Sequence, residues 1–571
     1  MQESVHSQSL ETAPRFGETS IARAAVSNIE AHADAYIALG VSALAALLFL
    51  KYDMLRQPFP PDTTFHVYAG QQMLLGHAIY RDVAIIKAPL SDFVAAFSMV
   101  LGRLFSIPDV IAPRIIFWLI AAATVGMTYL AGRYLFKERA IGLIAALMML
   151  SYSFLDLRSV TGPEPKALVI LFSLAALVLL WQRHWFWAGV CASLATLAWQ
   201  PALMVAALAC AVALVTRPSR LAVIGPVDVK SRQVTPPLIP SNPRAGFFNN
   251  PRWRQLLWVF VGGAIPLALL LIYLVANDAL LAARNAIIGA NYVHLYTSTA
   301  RIPPLKLITD NAAQVVSDSA MFCFPVELPL VVVGVIGFVG IVAGEFIRAA
   351  RARTWRSLIN LERTPFILYA LGFAAFTLID YDFCPDLIPL MPVAAIGVGW
   401  LVWQMSVAAR WLFERTGNVM RARQAQIVVL VIGPIVVAGV GLSHTLSYQL
   451  NGPTLSDQAQ VAVAAEQYLQ PTDRVLEFGD SLILIYTHRM NASKVLHLGD
   501  KSGLGVLAFE PGQMQGLIDS LDRNPPMLIA LSRENKPDWT RPFYRWLGGR
   551  YHLVKTINLN VVVRMFVLNQ P

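Results

Sequence analysis

Residues 62–90 read DTTFHVYAGQQMLLGHAIYRDVAIIKAPL and gather Asp62, His66, Arg81, Asp82 and Lys87 into one short stretch of an otherwise apolar chain. A carboxylate and an ammonium placed together have complementary uses. Asp62 can accept the proton of a hydroxyl nucleophile, a contribution of about 10²–10⁴-fold in rate. Lys87 can stabilise charge developing on a phosphate leaving group, with Arg81 or Arg158 sharing that role. Farther along, TGPEPKAL supplies Glu164, a second acid able to orient the acceptor or Asp62, and paired acids recur in glycosyl chemistry. His66, Tyr68 and Asp82, and Trp199 and Gln200 at a WQP turn, are candidate substrate contacts. This set fits transfer of a group from a lipid phosphate to a hydroxyl, with inversion if attack comes from the side opposite the phosphate.

Each residue has a structural alternative. Asp62 after PFPP can cap a helix, and Lys87 can extend toward lipid headgroups. Arg81 and Asp82 can form a surface ion pair, and His66 can simply pack. Glu164 before Pro165 can favour a helix start.

The elements that position these residues belong to a membrane protein. Of 571 residues, 56% are hydrophobic and 14% charged, against roughly 25% charged in soluble domains. The four cysteines, Cys191, Cys210, Cys323 and Cys384, form no CxxC or Cys/His cluster, so neither a metal site nor another cofactor is implied. Cys323 and Cys384 stand in related CFPVELP and CPDLIP segments, and a disulfide between them is an open alternative. Spans need about 20 apolar residues, which predicts about eleven: 36–52, 108–132, 139–155, 165–181, 184–198, 200–215, 255–276, 327–347, 364–380, 386–405 and 426–444. Pro201 either breaks the pair 184–198 and 200–215 into a tight turn or kinks one longer helix.

Lys and Arg favour cytoplasmic loops. They concentrate in 133–139, 182–184, 216–254, 348–363 and 406–425, which puts residues 1–35 inside as a tail and 36–444 in a transmembrane domain. The acidic tail, with Lys51 and Arg56 beyond the first span, runs against this bias. The net charge of +10 is then a topology signal, not a nucleic-acid footprint. The first outer loop, 53–107, contains two helical patterns, FHVYAGQQMLL and LSDFVAAFSMVLGRLF, expected to lie in the lipid–water interface. Three acids, Asp380, Asp382 and Asp386, mark another outer segment and read as a solvated loop or a polar binding patch.

Residues 445–571 change character. DRVLEFG, KVLHL, PPMLIALS and YHLVKTI read as strands, with helices at 456–470 and 512–523, which predicts a small α/β domain outside the cytoplasm. EFGDS lacks the spacing of a dinucleotide fingerprint.

The order D-x5-Y-x-G, then LL-G-x3-Y-R-D-x4-K-x-P-L, then LG-x-LF and APR, resembles the GT-C class of integral-membrane glycosyltransferases. The likeness is greatest to the bacterial branch related to lipid A aminoarabinose transferases and dolichyl-phosphate-mannose protein mannosyltransferases. It covers 60–210 well, and YDFCPDLIPLMPVAAIGVGW more weakly resembles a later family segment. The resemblance implies a polyprenyl phosphate sugar donor, an envelope acceptor, and sites in the lipid bilayer of a bacterial inner membrane. It places the catalytic carboxylate on Asp62, the donor-phosphate lysine on Lys87 and the second acid on Glu164. A family arginine falls on Arg114. KAPL departs from the family's K-P-P at Ala88.

Two other classes compete. A lipid-linked sugar flippase or transporter favours ionisable residues inside spans, and here the span centres are nearly free of charge. A non-catalytic envelope protein would use the outer domain for binding and would have no need of Asp62, Lys87 and Glu164.

Overall fold

The computed structural model describes residues 18–60, 62–216, 251–293, 302–351, 362–499, 501–532, 534, 536–559 and 561–569, with side chains from His32 onward. Nearly all of the predicted 216–254 insertion and half of the N-terminal tail lie outside these residues.

The predicted runs all fall on helices. The chain opens with α1 (Glu18–Phe49), then the shorter α2 (Thr64–Leu74) and α3 (Leu90–Leu104), then α4 (Ala112–Phe136). Next come α5 (Arg139–Met149), α6 (Ser153–Thr161), α7 (Pro165–Trp181), α8 (Trp185–Ala198) and α9 (Leu203–Val215). The remaining apolar helices are α10 (Pro251–Ala276), α11 (Leu328–Arg351), α12 (Thr364–Ile379), α13 (Met391–Glu414) and α14 (Val419–Ser447). Among the described residues six segments are long and apolar enough to cross a membrane, and four further apolar helices are shorter.

Two details differ from the simple count. The run 139–155 is not one straight helix, since α5 and α6 are bent by 68° where they meet. The polar SFLDLRSVT of α6 leaves the axis of α5 and carries Asp156 and Arg158. At WQP the tight turn prevails over the kink: Trp199 is extended and Gln200–Ala202 form a 3-10 turn between α8 and α9. Where α11 crosses α13, a methyl on Gly337 would lie 2.1 Å from the Gly397 carbonyl oxygen, so small residues permit close helix contact.

One acid of the flank that ran against the charge bias, Asp34, is locally paired. Asp34 accepts from Arg133 Nε at 3.0 Å and Arg139 Nε at 2.7 Å, at the end of the bundle remote from the C-terminal domain. Glu345 is held there by Arg348 and Arg363.

The C-terminal domain is a four-stranded sheet in the order β1 (Val475–Phe478), β2 (Leu528–Ser532), β4 (Val562–Leu568), β3 (Tyr551–Asn558). β1 and β2 are parallel, and the other pairings are antiparallel. β4 replaces KVLHL as the fourth strand. Its alternating burial is visible in VVRMFVL, but the segment pairs with β3 after a short turn and was not among the predicted strands. KVLHL instead lies between β1 and the first loop. Ala84 N donates to Lys494 O at 2.9 Å and Gly479 N to Leu496 O at 2.8 Å.

Helix α2 corrects a further expectation. Residues Thr64 to Gln72 are all buried, so it does not lie on the membrane surface. It is sandwiched between α3 and the α/β domain: Asn491 N donates to Tyr68 Oη, and Gln71 and Gln72 donate to Ile485 O and Arg489 O. Helix α3 does keep an exposed apolar face, at Phe97, Val100 and Leu104.

Inside the domain, Glu477 on β1 is buried and accepts a hydrogen bond from Leu484 N at 3.1 Å. Burial, with Asp480 nearby, pushes its carboxyl up to about 8. The folded state thus keeps a proton that the unfolded chain loses in the ordinary carboxylate range, and stability falls as pH rises from that range through about 8. Glu477→Gln should melt like the wild type at pH 5 and several degrees higher at pH 9, measured by thermal unfolding of the full chain in detergent.

Candidate functional site

The approach to Asp62 is anchored from both sides. Arg114, fully buried at the start of α4, donates through Nη1 to Met54 O at 2.6 Å and Gln57 O at 2.7 Å. Its guanidinium lies 4.2 Å from the Phe59 ring centroid. From the domain, Gln458 Oε1 accepts from Phe59 N at 2.7 Å. Arg114 is therefore the brace of the loop that presents Asp62.

Asp62 adopts a left-handed backbone, φ +70°, at a cost of about 1 kcal/mol that asparagine and aspartate tolerate better than most residues. It does not occupy the N-cap of α2. That position is Thr63, whose hydroxyl donates back to Pro60 O at 2.8 Å.

Lys87 is fixed through its backbone. Ile86 O accepts from Gln200 Nε2 at 2.9 Å and Asn291 Nδ2 at 2.8 Å, while Lys87 O accepts from Tyr80 Oη at 3.0 Å. The ammonium stands 4.0 Å from Asp62 Oδ2 and 4.8 Å from the Phe65 ring centroid. The Lys87 side chain is 37% exposed and that of Asp62 49%, so the pair is open to a ligand.

A second set of charges lies alongside. Glu164 caps α7, accepting from Lys166 N at 3.2 Å, and takes Arg158 Nε at 3.0 Å. Burial alone would raise its carboxyl, but Arg158 and Lys166 outweigh it and hold the group below its ordinary value. Lys166 Nζ meets Asp386 Oδ1 at 2.6 Å and sits 4.8 Å from the Trp199 ring centroid. Asp386 also accepts from Asp382 N at 2.9 Å, and it follows Cys384, which is disulfide-bonded to Cys323. Of the three acids expected in a solvated loop or polar patch, Asp386 is thus buried in an ion pair. Two bridges join this set to the first: a methyl on Gly162 would approach the Thr63 side chain to 3.1 Å, and Gln200, next to Trp199, holds Ile86.

His66 is fully buried with Asp92 of α3, Nδ1 to Oδ1 2.6 Å. Burial pushes the Asp92 carboxyl up, opposed by His66 and Lys87. Tyr68 turns its hydroxyl to the α/β domain, at Asn491. Arg81 is paired with Asp82 and donates to Asn277 O at 2.7 Å, and the Arg81 guanidinium holds the Asp82 carboxyl below its ordinary value. The sequence reading singled out neither Asp92, Lys166 nor His497. His497 of the α/β domain stands edge-on to Phe65 with ring centroids 5.7 Å apart. Lys166 and Asp386 lie 220 residues apart, and no local pattern pairs them. Among the described residues no three His, Cys, Asp or Glu side chains come together as a metal site.

The Lys166–Asp386 pair is 14% and 10% exposed, so removing one partner strands the other charge. Lys166→Met should cost roughly 3 kcal/mol, and Lys166→Met with Asp386→Leu should recover most of that loss. Thermal unfolding of the two variants checks it. Equal melting of both, well below the wild type, would show that the cost does not come from the stranded carboxylate.

No protein-family model matches the chain, and no curated protein matches it in sequence. Solved structures do match. ArnT from Cupriavidus metallidurans in the apo state, a lipid A aminoarabinose transferase, aligns at TM-score 0.51 and 14% identity over 94% of this chain and 98% of its own. The Archaeoglobus fulgidus oligosaccharyltransferase in complex with Zn and sulfate aligns at TM-score 0.50 and 14% identity, over 90% of this chain and 72% of its own. With its bundle of apolar helices, the loop between α1 and α4 and the small C-terminal sheet domain, the chain has the GT-C fold of integral-membrane glycosyltransferases.

Proposed function

We propose that the chain transfers a sugar from a polyprenyl phosphate donor to a lipid, glycan or protein acceptor of the cell envelope, with inversion. The observation that carries this reading is the open Asp62–Lys87 pair, 4.0 Å apart, on a loop clamped between the bundle and the α/β domain. In the step, the bond between the anomeric carbon and the phosphate oxygen breaks, and a new bond forms to the acceptor oxygen from the opposite face. The hydroxyl proton passes to Asp62. The phosphate leaves with its charge balanced by Lys87. Arg158 is engaged by Glu164 and Arg81 by Asp82, so Lys87 is the first cation to meet the phosphate, and the two arginines act by exchanging partners. Glu164 keeps Arg158 and Lys166 aligned beside the site and orients the acceptor.

The basic ends of the helices support an inner-membrane orientation with the N-terminus inside and the α/β domain outside. Polyprenyl phosphate release by the purified full chain, supplied with donor and acceptor, tests the reading. Asp62→Asn should lower turnover by about 10²–10⁴-fold with the fold intact. Lys87→Ala should weaken donor use at least as severely. Normal turnover in Asp62→Asn would sink the assignment.

A further inference from the structure

A cavity of about 570 Å³ opens between the end of α3, the turn into α4 and residues 485–488 of the α/β domain. It is separate from the Asp62–Lys87 pair, and neither residue lines it. Its level in the membrane follows from its walls. Gly102 abuts Ala112 so closely that a methyl there would lie 2.5 Å from the alanine Cβ, which ties the end of α3 to the first residue of the α4 span. Just beside the cavity, Leu104 is 73% exposed and Phe105 74% exposed. Phe97, Val100 and Leu104 recur at helical spacing along one side of α3, while Asp92, Ala96, Met99 and Gly102 are buried on the other. An apolar helix face ending at the start of a span lies against acyl chains, so the cavity sits at headgroup depth.

Its lining is mainly apolar, with Ile107, Val110 and Ile485 among it, and it carries polar groups of both signs. Arg103 forms a two-pronged pair with Asp109 through Nε and Nη2, at 3.2 and 2.8 Å, and the arginine side chain remains 48% exposed. At the inner end is Gln71, fully buried. Its Nε2 donates to Ile485 O at 3.1 Å and meets His488 Nδ1 at 2.7 Å, while its Oε1 has no partner. A buried carbonyl without a donor is costly, and a ligand bringing an N–H or O–H relieves that cost.

We infer that this cavity binds a zwitterionic phospholipid headgroup that carries a phosphate and a primary ammonium. The phosphate faces the open side of Arg103, and the ammonium donates to Gln71 Oε1 and Asp109. The acyl chains run along Phe97, Val100 and Leu104. A quaternary ammonium has no hydrogen to donate, and a headgroup with no cation leaves Asp109 without a second partner.

Native mass spectrometry of the full chain, delipidated and then mixed with defined lipids, tests this. Phosphatidylethanolamine should be retained at one copy per chain, at least fivefold over phosphatidylcholine and phosphatidylglycerol of the same acyl length. Ser106→Trp, which fills the cavity from an exposed position, should abolish the preference, and Arg103→Ala should weaken it at least fivefold. Should Arg103→Ala fail to fold, Ser106→Trp alone decides. Equal retention of the three lipids, or unchanged preference in Ser106→Trp, overturns the inference. Displacement by soluble phosphoethanolamine that is independent of acyl length would reassign the site to a free phosphate compound and overturn the lipid assignment.

Discussion

A charge at the edge of a hydrocarbon layer is tolerated only with a partner, because water is not there to solvate it. Charged groups at both ends of the bundle are paired in this way, whereas the buried Asp156 instead has its carboxyl pushed well up by burial and by nearby Glu327. At the end remote from the α/β domain, Asp34 is shared by two arginines and Tyr129, and Glu345 by two more. At the domain end, Arg158–Glu164, Lys166–Asp386 and His66–Asp92 are closed pairs at 3.0, 2.6 and 2.6 Å. Asp62–Lys87 stands apart at 4.0 Å and more exposed. The closed pairs hold the surrounding helices in place, and the loose pair is left able to change partners. That contrast separates framework from the proposed site.

The loop between α1 and α4 is the layer through which bundle and domain meet. Arg114 braces it from below, Gln200 and Asn291 fix the backbone at Lys87, and the domain adds contacts at Phe59, Tyr68, Gln71, Gln72 and Ala84. The α/β domain is therefore packed against the loop that carries Asp62 and Lys87 and is not a pendant module. His497 reaches the Phe65 ring, which also lies beside the Lys87 ammonium.

What the sequence made legible follows from how local each signal is. Span positions depend on apolar runs of about 20 residues, and these all proved helical. The turn at Pro201 is a local effect of a missing N–H, and it formed where WQP placed it. The break between α5 and α6 was missed because the apolar run continues to Phe154 and hides the turn. Helix α2 looked interfacial because the polarity of His66, Gln71 and Gln72 reads the same whether water or another domain meets it. KVLHL has the composition of a strand, but its carbonyls bond Ala84 and Gly479. The Cys323–Cys384 bond was foreshadowed by a shared Cys-Pro-acid pattern, whereas Lys166–Asp386 and His66–Asp92 are tertiary pairings that no single segment encodes.

A structure of the full chain with polyprenyl phosphate bound tests the central claim most directly. The account predicts the phosphate at hydrogen-bond distance from Lys87 Nζ, about 3 Å, with the ammonium drawn away from Asp62 and the carboxylate left facing the acceptor side. A phosphate bound elsewhere, with Lys87 and Asp62 still 4.0 Å apart, would contradict it.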